Sequence, residues 1–195
     1  MNEGATSVDG AGDRAALTRR VVITGFMGAG KTTVARALAA RLGCASIDAD
    51  EFITAREGRS PREIIEREGE PRFREIESRV LAEILAVESA RVVALGGGAW
   101  TITANRELIA RRDCLTVWLD APFELCWRRI ARAEPNARPL AREREAARGL
   151  YETRRELYAL ASRRVAVDGS KPAEGVAAEI ENLLRSSEDV RQGKN

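Results

Sequence analysis

The stretch GFMGAGKT at residues 25–32 decides the fold of this chain. It follows the apolar run Val21–Thr24 and precedes a segment in which Val34, Leu38 and Leu42 recur every four residues, as in a helix that buries one face. The pattern GxxxxGK[ST] between a strand and a helix is the setting that a phosphate-binding loop requires. The sequence therefore predicts a loop whose backbone N–H groups surround the phosphates of a nucleotide.

The side chains of this loop have predicted roles in holding ATP. Lys31 can reach the β- and γ-phosphates and is a candidate catalytic residue, and the hydroxyl of Thr32 can bind Mg²⁺. The alternative is a glycine-rich turn with a solvated lysine, but only three of the 32 basic residues in the chain are lysines. The predicted ATP-binding residues of the loop are Gly28, Ala29, Gly30, Lys31, Thr32 and Thr33.

Four more short apolar runs are typical of strands, and helical patterns separate them. Apolar strands that alternate with helices favour an α/β fold in which a parallel sheet is covered on both faces. Together with the run before the loop, they predict a three-layer fold with a five-stranded parallel sheet. The four runs are Ala45–Asp48, Val92–Leu95, Leu115–Leu119 and Arg164–Val167.

The length of 195 residues favours one domain. We expect this domain to span residues 19–186, between disordered tails at 1–18 and 187–195. Two segments between the predicted strands are too long for plain crossovers, and such insertions usually carry a substrate site or a lid. We expect a substrate-binding insertion at about 51–90 and a lid at about 132–150.

An acidic pair, Asp48 and Asp50, follows the second predicted strand. The two-residue period of a strand would place both carboxylates on the same side, and ligands of open α/β sheets bind at the carboxyl ends of strands. One carboxylate could serve Mg²⁺ through water, and the other could accept a hydrogen bond and the proton from a substrate hydroxyl. The alternative is that Asp50 caps a helix that begins at Glu51.

The third predicted strand ends in three glycines, Gly96, Gly97 and Gly98, where an acid would stand in an ATPase of the Walker B type. Bare backbone at this position favours close approach by a ligand, although a tight turn would also use glycine. The guanine-recognition motif NKxD is absent, because none of the three lysines occurs in that setting. These observations argue against a GTPase and against a motor ATPase.

Composition excludes several other classes of protein. A formal net charge of +2 predicts no strong attraction to nucleic acid or to an anionic membrane, and no window approaches the ~20 apolar residues of a membrane span. There is no histidine, and Cys44, Cys114 and Cys126 share no CxxC spacing, so the common zinc sites are absent. Cysteines beside apolar residues indicate core positions in a reducing compartment. We expect a cytoplasmic monomer.

A set of motifs follows in a specific order: the phosphate loop, Asp48-x-Asp50, Gly69-Glu70-x-x-Phe73-Arg74-x-x-Glu77, Gly96-Gly97-Gly98-Ala99, Arg138-Pro139-Leu140 and Arg155-x-x-Tyr158. In this order they resemble the shikimate kinase family, from about Val21 to Tyr158. The resemblance implies the fold of the nucleoside monophosphate kinases, with a helical substrate-binding insertion and a mobile lid. It also implies that ATP and shikimate are substrates, that Mg²⁺ is the cofactor, and that the γ-phosphoryl group passes to the 3-hydroxyl of shikimate in aromatic amino-acid biosynthesis.

The resemblance implies roles for individual residues at the substrate. Asp48 would lie near Mg²⁺, and Asp50 would bind the shikimate hydroxyls and act as the base. Arg74 and Arg155 would bind the shikimate carboxylate, a task that suits the planar guanidinium group. The three glycines at 96–98 would contact the ring of shikimate through their backbone.

In the lid, the resemblance implies that Arg138 meets the ATP phosphates on closure, which adds it to Lys31 and Asp50 as a candidate catalytic residue. Arg132 is implied as the residue that stacks on adenine.

Spacing alone leaves alternatives open for the arginines and for the function. Arg74 could form a surface pair with Glu70, four residues before it, and Arg155 could lie on a solvated helix. The chain could also be another small-metabolite kinase with a phosphate loop, such as a gluconate kinase. A further alternative is a module that binds a nucleotide without catalysis.

Overall fold

The computed structural model describes residues 19–132 and 143–192. Its strands are β1 (Val21–Thr24), β2 (Ala45–Asp48), β3 (Ala90–Ala94), β4 (Leu115–Asp120) and β5 (Arg163–Ala166). They form one parallel sheet in the order β2-β3-β1-β4-β5, which confirms the predicted five-stranded parallel arrangement.

The helices are α1 (Lys31–Leu42), α2 (Ala49–Glu57), α3 (Pro61–Ala86), α4 (Thr103–Arg111), α5 (Phe123–Arg132), α6 (Arg144–Tyr158) and α7 (Ala173–Gln192). A short 3₁₀ turn occupies Ala99–Thr101. Helix α1 packs on β2, β3 and α7, while α2 packs on α3. Among the described residues, no helix combines the length and the apolar character that crossing a membrane requires.

The register of the central strands brings three predicted site segments to one level. Ile23 of β1 and Asp48 of β2 are both paired with Ala94 of β3. The phosphate loop, the acidic pair and the glycine run begin within two residues of these positions. Because parallel strands end at the same edge of a sheet, all three segments lie together at its carboxyl edge.

Helix α3 bends where its backbone leaves the helical conformation at Gly69, which has φ 86° and ψ 163°. The helix starts at a capping box: the hydroxyl of Ser60 accepts from the N–H of Glu63, and the Glu63 carboxylate accepts from the N–H of Ser60. After the bend, a second helical stretch carries Arg74 and Glu77. The bend therefore gives this stretch its own direction toward the carboxyl edge of the sheet.

Asp50 lies on a helix and not on a strand, which corrects the two-residue-period argument. Strand β2 ends at Asp48, and α2 begins at Ala49 because the Asp48 carboxylate accepts hydrogen bonds from the N–H groups of Asp50 and Glu51. Asp48 is thus the helix cap, the role considered as an alternative for Asp50.

The predicted C-terminal tail at 187–195 is wrong for residues 187–192, because α7 continues to Gln192. The side chain of Ser187 is buried, and its hydroxyl donates to the carbonyl of Leu184 at 2.7 Å.

Several predicted segments lie outside the described residues. These are the N-terminal tail at 1–18, the last three residues of the chain, and positions 133–142 of the predicted lid. Helix α6 covers 144–150, the last part of the predicted lid. The predicted insertion at about 51–90 consists mainly of α2 and α3.

Candidate active site

The phosphate loop has a backbone shape that depends on glycine. Gly28 and Gly30 have φ values of +80° and +98°, a region that other residues rarely adopt. Lys31 is the first residue of α1, and its Nζ donates to the carbonyls of Gly25 at 3.0 Å and Phe26 at 3.1 Å. The ammonium group therefore lies across the loop that precedes it, where it can reach bound phosphates.

The acidic pair contacts the start of α1. The hydroxyl of Thr32 donates to Oδ2 of Asp48 at 2.5 Å, while Oδ1 of Asp48 accepts from the N–H of Asp50 at 2.9 Å. One carboxylate thus joins the phosphate loop to the first turn of α2. A cavity of about 230 Å³ opens beside it, and Lys31, Asp50 and Gly97 contribute to its lining.

Thr32 and Asp48 offer two oxygen atoms of the kind that Mg²⁺ prefers. The described ranges contain no group of three or more acidic, cysteine or histidine residues that could hold a metal on their own. This donor set fits Mg²⁺ in the way usual for nucleotide sites, where phosphate oxygens and water complete the coordination.

The glycine run is in close contact with charged side chains. A Cβ on Gly96 would lie 2.8 Å from Oδ1 of Asp50 and 2.6 Å from Oε1 of Glu77, and a Cβ on Gly98 would overlap the guanidinium of Arg74. A side chain at either position would therefore displace the ends of these charged side chains. A tight turn alone would not explain this crowding.

Arg74 pairs with two carboxylates on its own helix. Its Nη1 donates to Oε2 of Glu77 at 2.6 Å, and its Nη2 donates to Oε1 of Glu70 at 2.7 Å. The expected pair with Glu70 exists, but the Arg74 side chain is only 17% exposed and so is not a surface group. Burial raises the pKa of Glu77; nearby Asp50 adds to this effect, and the positive charge of Arg74 opposes it.

The two consecutive arginines of α6 point to different places. Arg155 donates from Nη2 to Asp120 at 3.4 Å and lies over the ring of Trp118. Arg154 is buried, and its Nη1 lies 3.9 Å from the position of a Cβ on Gly97. Arg155 was predicted to bind the shikimate carboxylate together with Arg74, but it is Arg154 that the structure places beside the glycine run.

Of the two arginines predicted to bind ATP from the lid side, the structure describes Arg132 but not Arg138. Arg132 is exposed at the end of α5. Arg129, about one turn earlier, lines the cavity and donates from Nη1 to the carbonyl of Gly28 at 3.0 Å. Arg138 lies outside the described residues, so its predicted role stays a prediction.

The arrangement thus combines a phosphate loop, an acidic pair, the buried Arg154 and the partly buried Arg74 at one edge of a parallel sheet. The family model for shikimate kinase matches residues 27–185. This chain belongs to the shikimate kinase family.

Relatives within the shikimate kinase family cover nearly the whole chain. A shikimate kinase of Ruegeria pomeroyi is 40% identical over 192 residues, which are 97% of this chain and 95% of the relative. A shikimate kinase of Geobacter sulfurreducens is 42% identical over 170 residues, covering 86% of this chain and 91% of the relative.

Solved structures of the shikimate kinase family have the same fold. Shikimate kinase from Acinetobacter baumannii in complex with shikimate matches with a TM-score of 0.81 and 35% identity, covering 88% of this chain and 96% of that chain. A gluconokinase from Sinorhizobium meliloti has a TM-score of 0.61 at 22% identity and shares the fold alone.

Helical periodicity could have identified Arg154 from the sequence. The half-buried or buried residues Ala147, Tyr151, Arg154 and Tyr158 recur at spacings of four, three and four along α6. An arginine on such a stripe faces the protein interior, whereas Arg155 falls outside it. The same signal marks Glu77, which lies on the buried stripe of Phe73, Glu77, Leu81 and Ile84 along α3.

Proposed function

We propose that this chain is a shikimate kinase, which transfers the γ-phosphoryl group of ATP to the 3-hydroxyl of shikimate and releases shikimate 3-phosphate and ADP. The observation that carries the proposal is the convergence of the phosphate loop with Asp50, Arg74 and Arg154 around one glycine run. The phosphate loop thus lies beside two arginines that can bind a carboxylate and an aspartate that can bind hydroxyl groups, as a small polyhydroxy acid requires. The product belongs to aromatic amino-acid biosynthesis.

At the ATP end, we propose that Lys31 binds the β- and γ-phosphates and that Arg129 lies against the nucleotide. Support comes from their positions: Lys31 folds back over its own loop, and Arg129 donates to that loop from α5. Mg²⁺ held between Thr32, Asp48 and the phosphates would supply charge neutralisation during transfer. Arg138 is proposed as the lid arginine that adds to this neutralisation.

At the acceptor end, we propose that Arg74 and Arg154 bind the shikimate carboxylate. Both guanidinium groups are largely buried and lie against Gly97 and Gly98, so a carboxylate placed there would receive charge-assisted hydrogen bonds in a water-poor site. These bonds orient the ring and thereby direct one hydroxyl toward the phosphate loop.

Asp50 is proposed to accept a hydrogen bond from the reacting hydroxyl. It lines the same cavity as Lys31, so its carboxylate lies between the glycine run and the phosphates. The transition state of phosphoryl transfer is loose, and alignment of the hydroxyl contributes more than strong proton removal. Asp50 therefore serves first to orient the hydroxyl and then to receive its proton.

We further infer that the protein works as a cytoplasmic monomer. No disulfide joins the three cysteines, all of which lie within the described ranges, as expected in a reducing compartment.

The test is ADP release in a coupled assay with shikimate, quinate, gluconate and a nucleoside monophosphate as parallel acceptors. Shikimate should give the highest kcat/KM by a wide margin. A preference for gluconate would assign the protein to a different metabolite kinase, and ATP binding without turnover on any acceptor would indicate a non-catalytic module.

A further inference from the structure

Side chains hold the carbonyl groups of four successive residues in and after the glycine run. The pairs are Tyr158 Oη to Gly97 O, Thr101 Oγ1 to Gly98 O (2.7 Å), Asn105 Nδ2 to Ala99 O (3.0 Å) and Arg106 Nη1 to Trp100 O (2.8 Å). Three donors lie within six residues of their acceptors along the chain. Tyr158 is different, because it is 61 residues away from Gly97 and belongs to α6.

The arginine proposed to bind the substrate lies about one helical turn before Tyr158. Arg154 precedes it by four residues, so both side chains lie on one face of α6. Both residues are buried, with exposed fractions of 6% for Arg154 and 1% for Tyr158. The Tyr158 hydroxyl donates to the carbonyl of Gly97, and Nη1 of Arg154 lies 3.9 Å from the position of a Cβ on the same glycine. The two side chains therefore meet at Gly97.

Peptide geometry extends this contact to the next residue. The bond between Gly97 and Gly98 is trans, since the described residues contain no cis peptide, and the Gly97 carbonyl points opposite to the Gly98 N–H. Holding the carbonyl at Tyr158 therefore turns the N–H of Gly98 away from α6. Within the described ranges, this N–H donates to no backbone carbonyl.

We propose that Tyr158 is a positioning residue for the acceptor substrate: its hydroxyl fixes the Arg154 guanidinium and the Gly97–Gly98 peptide in one arrangement, so that both donors meet the same bound molecule. The inference rests on the proposed function for the identity of that molecule. Tyr158 acts through Arg154 and the peptide, and it does not touch the reacting atoms.

The hydroxyl is a permanent donor over the working range of pH. Burial raises the pKa of Tyr158 to about 12, an effect that the neighbouring positive charge of Arg154 only partly opposes. The proton that holds Gly97 is therefore retained at neutral pH.

The test compares Tyr158→Phe with Tyr151→Phe. Each change removes one hydroxyl and keeps the ring, and these are the only two tyrosines of the chain. Tyr151 is a matched control, because it lies on the same helix and its hydroxyl also donates to a backbone carbonyl, that of Ala121 at 3.1 Å. In Tyr158→Phe we expect the KM for shikimate to rise about tenfold, as for a buried polar group that loses its partner. The KM for ATP should stay within twofold of the wild-type value, and Tyr151→Phe should leave both values unchanged.

A purely structural role predicts a different pattern. In that case the two variants would lose similar thermal stability and would show the same KM for shikimate, and that outcome overturns the proposal. A parallel rise in the KM values for ATP and shikimate would also overturn it. If the wild-type protein does not phosphorylate shikimate at all, the proposed function fails before this inference is reached.

A measurement on the wild-type protein covers the case in which Tyr158→Phe does not fold. The backbone amide resonance of Gly98 should shift on titration with shikimate in the absence of nucleotide, because its N–H is directed at the bound molecule. An unchanged Gly98 resonance at saturating shikimate would contradict the peptide orientation on which the proposal depends.

Discussion

Adjacent arginines on α6 allow a sharp test of the acceptor site. Arg154→Lys keeps the positive charge and shortens the reach, but it removes the planar fork that binds a carboxylate in two places. Arg155→Lys makes the same chemical change one residue later, at a side chain that is 49% exposed and faces Asp120. A difference between the two variants therefore reports the position of the arginine, because the chemical change is the same in both.

The expected magnitudes follow from the surroundings of each side chain. Arg154 is 6% exposed, so a hydrogen bond that it loses to a bound carboxylate is not replaced by water. Hydrogen bonds to charged groups contribute about 1.5–3 kcal/mol, which corresponds to a rise in the KM for shikimate of about 10- to 150-fold. For Arg155 the partner Asp120 keeps its second cation, Arg164, at 2.5 Å, and a half-exposed pair contributes about 0–1 kcal/mol to stability.

The assay is coupled ADP release at saturating ATP, combined with calorimetric titration of each ligand separately. Arg154→Lys should weaken shikimate binding and leave ATP affinity unchanged, while Arg155→Lys should behave as the wild type in both titrations. A loss of shikimate affinity in Arg155→Lys but not in Arg154→Lys would refute the assignment. Loss of ATP affinity in Arg154→Lys would move this residue to the nucleotide end.

Three further outcomes are expected. Lys31→Met should fold, as judged by circular dichroism, and lose on the order of 10²–10³ in kcat, because the transferring phosphoryl group loses a preorganised charge; near-normal turnover would remove the loop from the mechanism. Asp48→Asn should raise the Mg²⁺ concentration that gives half-maximal rate, whereas Asp50→Asn should lower kcat with ATP binding intact, and identical metal-dependent defects would contradict this division. Tyr158 has a pKa raised from 10.0 to about 12, so its neutral form stabilises the fold below pH 10, and that contribution is lost as the pH rises from 10 toward 12. In urea titrations over this window, the free energy of unfolding of the wild type should fall by about 1.4 kcal/mol per pH unit more than that of Tyr158→Phe; equal slopes would show that burial does not perturb this phenol.

The phosphate loop was predictable because its chemistry is local. The motif, the strand before it and the helix after it occupy one continuous stretch, and β1 has the bounds that its apolar run predicted, Val21–Thr24. The parallel sheet also followed from the sequence, because strands buried on both faces must be apolar throughout.

Side-chain direction was less predictable. Neighbouring residues on a helix point about 100° apart, so the short motif that ends at Tyr158 cannot tell whether Arg154 or Arg155 faces the interior. Only the longer stripe along α6, from Ala147 to Tyr158, makes the distinction. Asp50 reached the expected crevice by a route that the sequence argument missed, since Asp48 ended the strand and began a helix. Distant contacts of this kind depend on tertiary structure and leave little trace in local spacing.

The crowding around the glycines has a consequence for how this active site can evolve. A Cβ on Gly28 would lie 2.6 Å from the carbonyl oxygen of Cys126, and one on Gly96 would lie as close to Oε1 of Glu77. At Gly28 the neighbour is rigid backbone and φ is +80°, so any side chain there is strained, whereas a side chain at Gly96 requires the ends of Asp50 and Glu77 to move. New acceptor preferences should therefore arise through the arginine-bearing helices, where substitutions can alter charge and reach without a collision, and laboratory selection for a different acceptor should accumulate changes there first.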